Sequence, residues 1–304
     1  MTLGEATGAE QQAVNVKVFG MSDMGRVRKN NEDNFVVCDL TTGEADLAPP
    51  FRDYTQGNRG SLFMVADGMG GEASGEVASQ ICALTVPKRL YENLKSPGQV
   101  SAKKFVLLLR ESIEYANRII HQKAQGSSIY RGMGTTATVA ALFGPYVFVG
   151  QVGDSRAYLI RDNELTQLTR DQTFLNYLKE IGVEVPADPE MDSRKSILTQ
   201  AVGSSENVNV KVTYTKVRQG DRLLLCSDGL YNMLPASDIL ASVKGTEPLS
   251  NKCKSLIDKA NAKGGNDNIT VVMAEFNGPG LPPAAPAARV EFKEYNEEDF
   301  SGRS

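Results

Sequence analysis

The sequence of 304 residues has one histidine and few cysteines. Its four cysteines lie far apart and include no C-x-x-C pair: Cys38, Cys82, Cys226 and Cys253. This spacing argues against a zinc site or a disulfide framework and is typical of reduced, mostly buried thiols in a cytosolic protein. The single histidine, His121, lies off the apolar stripe of a predicted helix, so we expect it on the surface or at a rim.

The sequence also lacks a surplus of basic residues and a long apolar run. Its 33 Lys and Arg residues against 37 Asp and Glu residues give a formal net charge of -4, so nucleic acid is not an expected partner. The longest apolar tract, TVAALFGPYVFVG, is short and broken by Gly-Pro, which excludes a membrane span. The first residues do not resemble a signal peptide, and we expect a cytoplasmic monomer.

Composition divides the chain into three parts. Residues 1–13 form a polar lead-in that we expect to be disordered, and residues 14–277 carry the pattern of a folded domain. Residues 278–304 combine a Pro/Ala linker with an acidic tail, a composition typical of disorder.

Many short strands and a few amphipathic helices are predicted within the folded part. In the segment from Ser101 to Gln125, apolar residues recur every three or four positions and predict one face of a helix. A second helix is predicted from about Ser74 to Leu94, with Pro87 bending or splitting it. Two later helices each begin at a proline. Without strict β-α alternation, this pattern favours antiparallel sheets covered by helices, an α+β fold.

Acidic residues stand at five separate strand ends. The strand LFMVA runs into Asp67-Gly68, and RLLLCS runs into Asp228-Gly229. The other acids at strand ends are Glu32, Asp33, Asp154 and Asp267. Carboxylates gathered at sheet ends would repel each other unless cations neutralise them, and oxygen ligands without histidine or thiolate select Mg²⁺ or Mn²⁺ over zinc. Taken singly, each D-G is equally well a turn and NED a solvated loop, and spacing alone does not show that the five segments converge.

Eight motifs occur in the order found in the protein phosphatase 2C family, the metal-dependent serine/threonine phosphatases. They include SDMGRVRKNNEDNF, VADGMGGEASGEVAS, VGDSRAYLI, GDRLLLCSDGL and GGNDNITVV, and they span roughly residues 15–276. The sequence most resembles the compact bacterial members. This resemblance implies a four-layer αββα sandwich, in which two antiparallel sheets are flanked by helices, with metal ions at one end between the sheets.

The resemblance also implies a role for each acid. Asp67 would bridge two Mn²⁺ or Mg²⁺ ions, and the Gly68 carbonyl would be a further ligand, with glycine allowing a tight turn. Asp228 and Asp267 would complete the coordination of the first ion, Glu32 would hold the second ion partly through water, and Asp33 would orient metal-bound water. Asp154 with Asp228 would form a weaker third site. Arg28 matches the phosphate-binding arginine, whose planar fork suits two phosphoryl oxygens.

The implied reaction is hydrolysis of phosphoserine and phosphothreonine by direct attack of a water that bridges the two ions. None of the cysteines begins a C-x-x-x-x-x-R loop, so a cysteine-nucleophile mechanism has no support. Expected partners are phosphorylated proteins, a Ser/Thr kinase and its substrates. Two other classes stay open: a pseudophosphatase that binds phosphoproteins without turnover, and a metal-dependent phosphodiesterase or nuclease, which the acidic balance disfavours.

Two positions depart from the family pattern. Met69 stands where several eukaryotic relatives have a histidine proposed as general acid, and methionine cannot donate a proton. Gln172 stands where many bacterial members have histidine, at the start of a flap predicted over residues 172–202. The flap's charges are expected to contact substrate, the alternative being a solvated face.

Overall fold

The computed structural model describes residues 13–47, 52–70, 74–96, 98–183, 197–285 and 288–300. The predicted lead-in and the centre of the predicted flap therefore lie outside the described residues, apart from Ala13. Within the described part, no helix is both long and apolar enough to cross a membrane.

Fourteen strands are described. They are β1 (Asn15–Asp23), β2 (Asp33–Asp39), β3 (Glu44–Asp46), β4 (Arg52–Thr55), β5 (Ser61–Met69), β6 (Gly134–Thr135), β7 (Ala137–Phe143), β8 (Tyr146–Val152), β9 (Arg156–Arg161), β10 (Glu164–Gln167), β11 (Lys211–Lys216), β12 (Arg222–Cys226), β13 (Ile269–Asn277) and β14 (Phe292–Glu294).

Six α-helices are described, with a 3₁₀ turn at Ser128–Tyr130. They are α1 (Ser74–Leu94), α2 (Ala102–Gly126), α3 (Phe174–Glu180), α4 (Asp228–Tyr231), α5 (Ala236–Val243) and α6 (Leu249–Ala262). Pro235 and Pro248 directly precede α5 and α6, so both predicted starts are confirmed. The helix α1 is continuous through Pro87, so the predicted split is absent.

The strands form two antiparallel sheets. One has the order β10-β9-β12-β13-β1-β4, and the other has the order β14-β11-β8-β7-β5-β2-β3, with β6 paired to β5. One apolar cluster fills the space between the sheets, a second joins the larger sheet to α1 and α2, and a third joins the smaller sheet to α5 and α6. The predicted αββα sandwich is confirmed.

The periodic patterns correspond to buried faces. The predicted stripe of α2 is fully buried, from Phe105 through Leu109 to Ile120, and the Ser101 side chain caps the helix by accepting from the Lys104 amide. The run from Leu62 to Ala66 in β5 is buried on both faces, because β5 lies between the other sheet and α1. The four cysteines are buried and unpaired, as predicted.

The C-terminal segment differs from the disordered tail that its composition predicts. Phe292–Glu294 forms β14 and pairs with β11, whose edge would otherwise be open. The Phe300 ring packs 5.1 Å from that of Tyr214, centroid to centroid, and Lys211 forms an ion pair with Glu294. The contact between the Phe300 and Tyr214 rings and the open edge of β11 therefore order a C-terminal segment whose charges alone would leave it solvated.

Candidate metal centre

One cleft collects the residues that the sequence singled out. The cleft has a volume of about 860 Å³ and lies where the two sheets present their acid-bearing strand ends. Its lining includes seven of the eight predicted site residues: Arg28, Glu32, Asp67, Gly68, Asp154, Asp228 and Asp267. The eighth, Asp33, lies behind the cleft wall and is buried. The five separate segments therefore converge, which spacing alone had left open.

Asp67 lies at the end of β5, directly opposite Asp33 of β2 in the antiparallel register. Thr136 holds the Asp67 backbone at two points. The Asp67 amide donates to Thr136 Oγ1 at 2.9 Å, and the Asp67 carbonyl accepts from the Thr136 amide at 2.8 Å. Burial raises the pKa of Asp67 well above its usual range, and the nearby carboxylates, Asp33 first, raise it further. Two like charges directly opposite each other destabilise a strand pair.

Asp33 carries a buried acceptor without a partner. Its Oδ2 accepts from Ser227 Oγ at 2.7 Å, whereas its Oδ1 has no hydrogen-bond partner among the described residues. Burial raises the Asp33 pKa to about 7, partly opposed by the hydrogen bond from Ser227. A buried acceptor left unpaired is costly, so its presence here indicates a partner of positive charge or a bound water at this position.

Burial and neighbouring carboxylates also raise the pKa values of Asp228 and Asp154. Asp228 begins α4 directly after β12, and burial together with Asp267 raises its pKa to about 6. Asp154 follows β8 in a turn, and burial together with Asp228 and then Asp171 raises its pKa to about 7. Every one of these shifts penalises the ionised form, and a divalent cation in the cleft would reverse that penalty.

Glu32 enters the cleft from the loop before β2. Its amide donates to Asn268 Oδ1 at 2.8 Å, and its carbonyl accepts from the Gly68 amide at 3.2 Å. Burial raises the Glu32 pKa, while Arg28 lowers it. Contacts from β5 and from Asn268, just before β13, thus fix the Glu32 backbone at the edge of the cleft.

Arg28 and Asp267 form an ion pair, with Arg28 Nη2 2.7 Å from Asp267 Oδ2. The hydrogen bond to Asp267 raises the arginine pKa. The predicted phosphate-binding group therefore contacts a predicted metal ligand directly, a pairing that the sequence did not reveal.

No three histidine, cysteine, aspartate or glutamate side chains in the described part converge closely enough to chelate an ion as they stand. Neighbouring groups hold oxygens that a cation would otherwise use: Arg28 holds Asp267, and Asn232 Nδ2 donates to Asp228 at 3.1 Å. The donor set nevertheless fits Mg²⁺ or Mn²⁺, because it contains oxygen ligands and an unpartnered buried carboxylate oxygen.

Gly68 is required for a different reason from the predicted tight turn. It lies inside β5, and its φ is not in the left-handed region. A Cβ there would lie 2.2 Å from the Gly75 carbonyl oxygen and 2.6 Å from that of Glu32. Gly229 meets the same constraint, because its Cβ would lie 2.0 Å from the Asn268 oxygen. Both glycines let backbones pack closely around the cleft.

Two residues that the sequence reasoning missed organise the site. Asn268 accepts from the Glu32 amide and donates to the carbonyls of Met24 and Asn30, at 3.0 and 2.9 Å. Thr136 fixes Asp67, and its Oγ1 lies 2.7 Å from Ser155 Oγ. Asn268 stands inside the motif GGNDNITVV, and Thr136 stands inside GTTATVAAL, another of the eight ordered motifs; in both, the neutral side chain carries no signal of its own.

Met69 and the single histidine, His121, occupy different places. Met69 lines the cleft and is 36% exposed, where its thioether offers no proton. His121 is half-buried on α2, and its Nδ1 lies 3.1 Å from the Gly203 carbonyl oxygen; it is not among the residues that line the cleft.

Comparison with known proteins connects this cleft to one family. The family model of protein phosphatase 2C matches residues 50–263. The chain is similar to the serine/threonine phosphatase stp of Listeria welshimeri, with 35% identity over 256 residues, covering 84% of this chain and 94% of the relative. It is also 32% identical over 257 residues to the protein phosphatase PhpP of Streptococcus pneumoniae, covering 84% of this chain and 96% of the relative.

Solved structures agree. The serine/threonine phosphatase of S. agalactiae superposes with a TM-score of 0.72 at 30% identity, covering 86% of this chain and 99% of that one. The catalytic domain of the serine/threonine phosphatase PstP, solved in complex with two manganese ions, superposes with a TM-score of 0.68 at 32% identity and covers 87% of this chain and 99% of that one.

Proposed function

Because this chain belongs to the protein phosphatase 2C family and is a serine/threonine protein phosphatase, we propose that it works with two Mn²⁺ or Mg²⁺ ions bound in the acidic cleft. The observation that carries the proposal is the convergence of five acid-bearing segments on one cleft, with an unpartnered buried oxygen of Asp33 behind it. The manganese complex of the PstP catalytic domain supports the choice of ion.

The ligands follow from the positions of the acids. We assign Asp67 as the bridging carboxylate, since it stands at the end of β5 between the acids of both sheets. Asp228 and Asp267 would hold one ion, Glu32 and the Gly68 carbonyl would contribute to the pair, and Asp33 would orient a bound water. Asp154 and Asp228 would form a weaker third site. When bound, the ions would supply an ionised water nucleophile and positive charge opposite the phosphoryl oxygens.

Arg28 would recognise the phosphoryl group of the substrate. Its side chain is half-exposed at the cleft, and its present partner, Asp267, is an assigned ligand. With Asp267 holding an ion, the guanidinium would be free to make two parallel hydrogen bonds to phosphoryl oxygens. Displacement at phosphorus then needs no covalent enzyme intermediate, and Met69 contributes no proton to the leaving group.

The substrates we propose are phosphoserine and phosphothreonine in proteins phosphorylated by a Ser/Thr kinase of the same cell. The catalytic domain would comprise residues 14–277 and include the flap at 172–202, of which Ile197 and Leu198 line the cleft. The test is hydrolysis of a phosphothreonine peptide by chelator-treated protein before and after Mn²⁺ is added, with single-stranded DNA as a competing substrate class. Turnover of the peptide alone, restored by Mn²⁺, is expected. Binding without turnover would indicate a pseudophosphatase, and cleavage of DNA would indicate a phosphodiesterase.

A further inference from the structure

The two ends of the flap run side by side next to the cleft. The Phe174 amide donates to the Ile197 carbonyl at 2.8 Å, and the Thr199 amide donates to the Gln172 carbonyl at 2.8 Å. Ile197 and Leu198 from this paired stem line the same cleft as the acids. The stem is therefore one wall of the cleft, and its position sets the space available to a protein substrate.

Gln172 ties this stem to the turn that carries Asp154. Its Oε1 accepts from the Gly153 amide at 2.7 Å and from Gln200 Nε2 at 2.8 Å. The backbone N–H of Gln172 donates to the Gly153 carbonyl at 3.0 Å, and the side-chain Nε2 makes a longer contact of 3.4 Å with the Gln151 carbonyl. One side chain thus holds both ends of the flap stem and the turn after β8.

The turn needs such a partner. Gly153 has φ 97, and a Cβ there would lie 2.7 Å from the Thr136 side chain, so no larger residue fits. The next residue, Asp154, has its carbonyl bound by the Tyr231 hydroxyl at 3.2 Å. Gln172 supplies the acceptor for the Gly153 amide, which would otherwise be left unpaired beside an assigned metal ligand.

The contact continues from Gln200 to β11. Gln200 Nε2 donates to the Asn209 carbonyl at 2.9 Å, and Gln200 Oε1 accepts from the Asn209 amide at 3.0 Å. Asn209 leads into β11, which pairs with β8 along its whole length. The stem is therefore braced from both neighbouring strands, and the Gln172 side chain contacts the turn and Gln200 while its backbone forms part of the stem.

We propose that Gln172 is a positioning residue that fixes the flap stem against the Asp154 turn and thereby sets the affinity for phosphoprotein substrates. The proposal rests on the function proposed above. An amide suits this role because its single oxygen accepts from two N–H groups while staying neutral at all physiological pH values. A small phosphate ester needs only the acid-lined end of the cleft, whereas a phosphopeptide would also reach Ile197 and Leu198 of the stem. Loss of the Gln172 hydrogen bonds should therefore weaken the binding of a phosphopeptide more than that of a small phosphate ester.

The test compares Gln172→Ala with wild type on a phosphothreonine peptide and on p-nitrophenyl phosphate. We expect KM for the peptide to rise about tenfold more than KM for the small ester, the effect of losing one well-placed, partly buried hydrogen bond. Gln200→Ala should shift the same ratio, and the double variant should change it by less than the product of the two single effects. Gln219→Ala is the matched control, because Gln219 donates to the Leu281 carbonyl outside the cleft.

Hydrogen exchange of the metal-free protein gives a second readout that does not depend on turnover. In Gln172→Ala, peptides that cover Gly153 and Thr199 should exchange at least tenfold faster than in wild type, while those from α2 should not change. An equal rise in KM for the peptide and for p-nitrophenyl phosphate would overturn the proposal. Unchanged hydrogen exchange at Gly153 and Thr199 would also overturn it. If wild type hydrolyses neither substrate, the proposed function fails, and the exchange result still decides the role of Gln172. If Gln172→Ala does not fold, Gln200→Ala carries both readouts.

Discussion

Replacing Asp67 by asparagine separates a metal-bridging role from an architectural one. The substitution keeps the size and shape of the side chain and removes its charge. Asp67 stands opposite Asp33 in the strand register, so their Cβ atoms are about 5 Å apart. At an effective dielectric of about 20, two unit charges at that distance repel by about 3 kcal/mol.

That repulsion is one part of the stability gained by the metal-free variant, and relief from burying a charge and from the other carboxylates adds to it. A gain of about 1 kcal/mol corresponds to roughly 2–4 °C in Tm for a domain of this size, so a rise of several degrees is expected. The raised pKa values of Asp67 and Asp33 mean that protons already relieve part of the repulsion near neutrality. The gain should therefore be larger at pH 8.5 than at pH 6.

The catalytic effect should be in the opposite direction. An amide bridges two cations poorly, so we expect hydrolysis of a phosphothreonine peptide in Mn²⁺ to fall by about 10³-fold or more. The assays are peptide turnover with Mn²⁺ and thermal melts in chelator, for Asp67→Asn and for the control Asp53→Asn. Asp53 is an exposed strand residue paired to Lys17 at 3.8 Å, and its replacement should change neither readout. An inactive Asp67 variant that melts below the wild-type metal-free protein would show that Asp67 holds the strand end together, and would refute the reasoning.

Three further predictions concern the same cleft. Arg28→Ala should keep the fold and raise KM for the phosphopeptide with a smaller loss of kcat, because a phosphate-binding fork is lost; an unchanged kcat/KM would make the arginine purely structural. Activity removed by chelator should return with Mn²⁺ better than with Ca²⁺, which prefers larger and looser shells, and full activity in excess chelator would exclude a metal centre. The pKa values of Asp33 and Asp154 are raised to about 7 and that of Asp228 to about 6 in the folded state, from about 4 when unfolded. The metal-free folded state therefore binds more protons than the unfolded chain between these values, and its stability should fall as pH rises from about 5 to about 7.5. Thermal melts in chelator across this range check the sign, and Mn²⁺ should weaken the dependence.

The layers and the acids of the site could be predicted because each leaves a local signal in the chain. Alternation along β1 and the apolar stripe of α2 indicate buried faces. An acid after an apolar run, as at Asp67 and Asp228, indicates a candidate functional residue at a strand end. Periodicity does not show that the acid-bearing segments meet at one site. That expectation came from the resemblance of the ordered motifs to the family.

The remaining features depend on contacts between residues distant in sequence. The Arg28–Asp267 ion pair joins positions 239 residues apart, and Gln172 finds its partners 19 and 28 residues away. The need for Gly68 comes from the Gly75 carbonyl of α1, which no strand pattern reveals. The C-terminal segment was predicted disordered from composition, because an open sheet edge that attracts Phe292–Glu294 is not visible in its own sequence.

Anomalous diffraction from crystals of the Mn²⁺-loaded protein tests the central claim most directly. We expect two strong manganese peaks in the cleft, with Asp67 contacting both, Asp228 and Asp267 contacting one, and Arg28 no longer paired to Asp267. A weaker third peak is expected beside Asp154. Peaks only outside the cleft, or none from a protein that still hydrolyses phosphothreonine peptide, would contradict it.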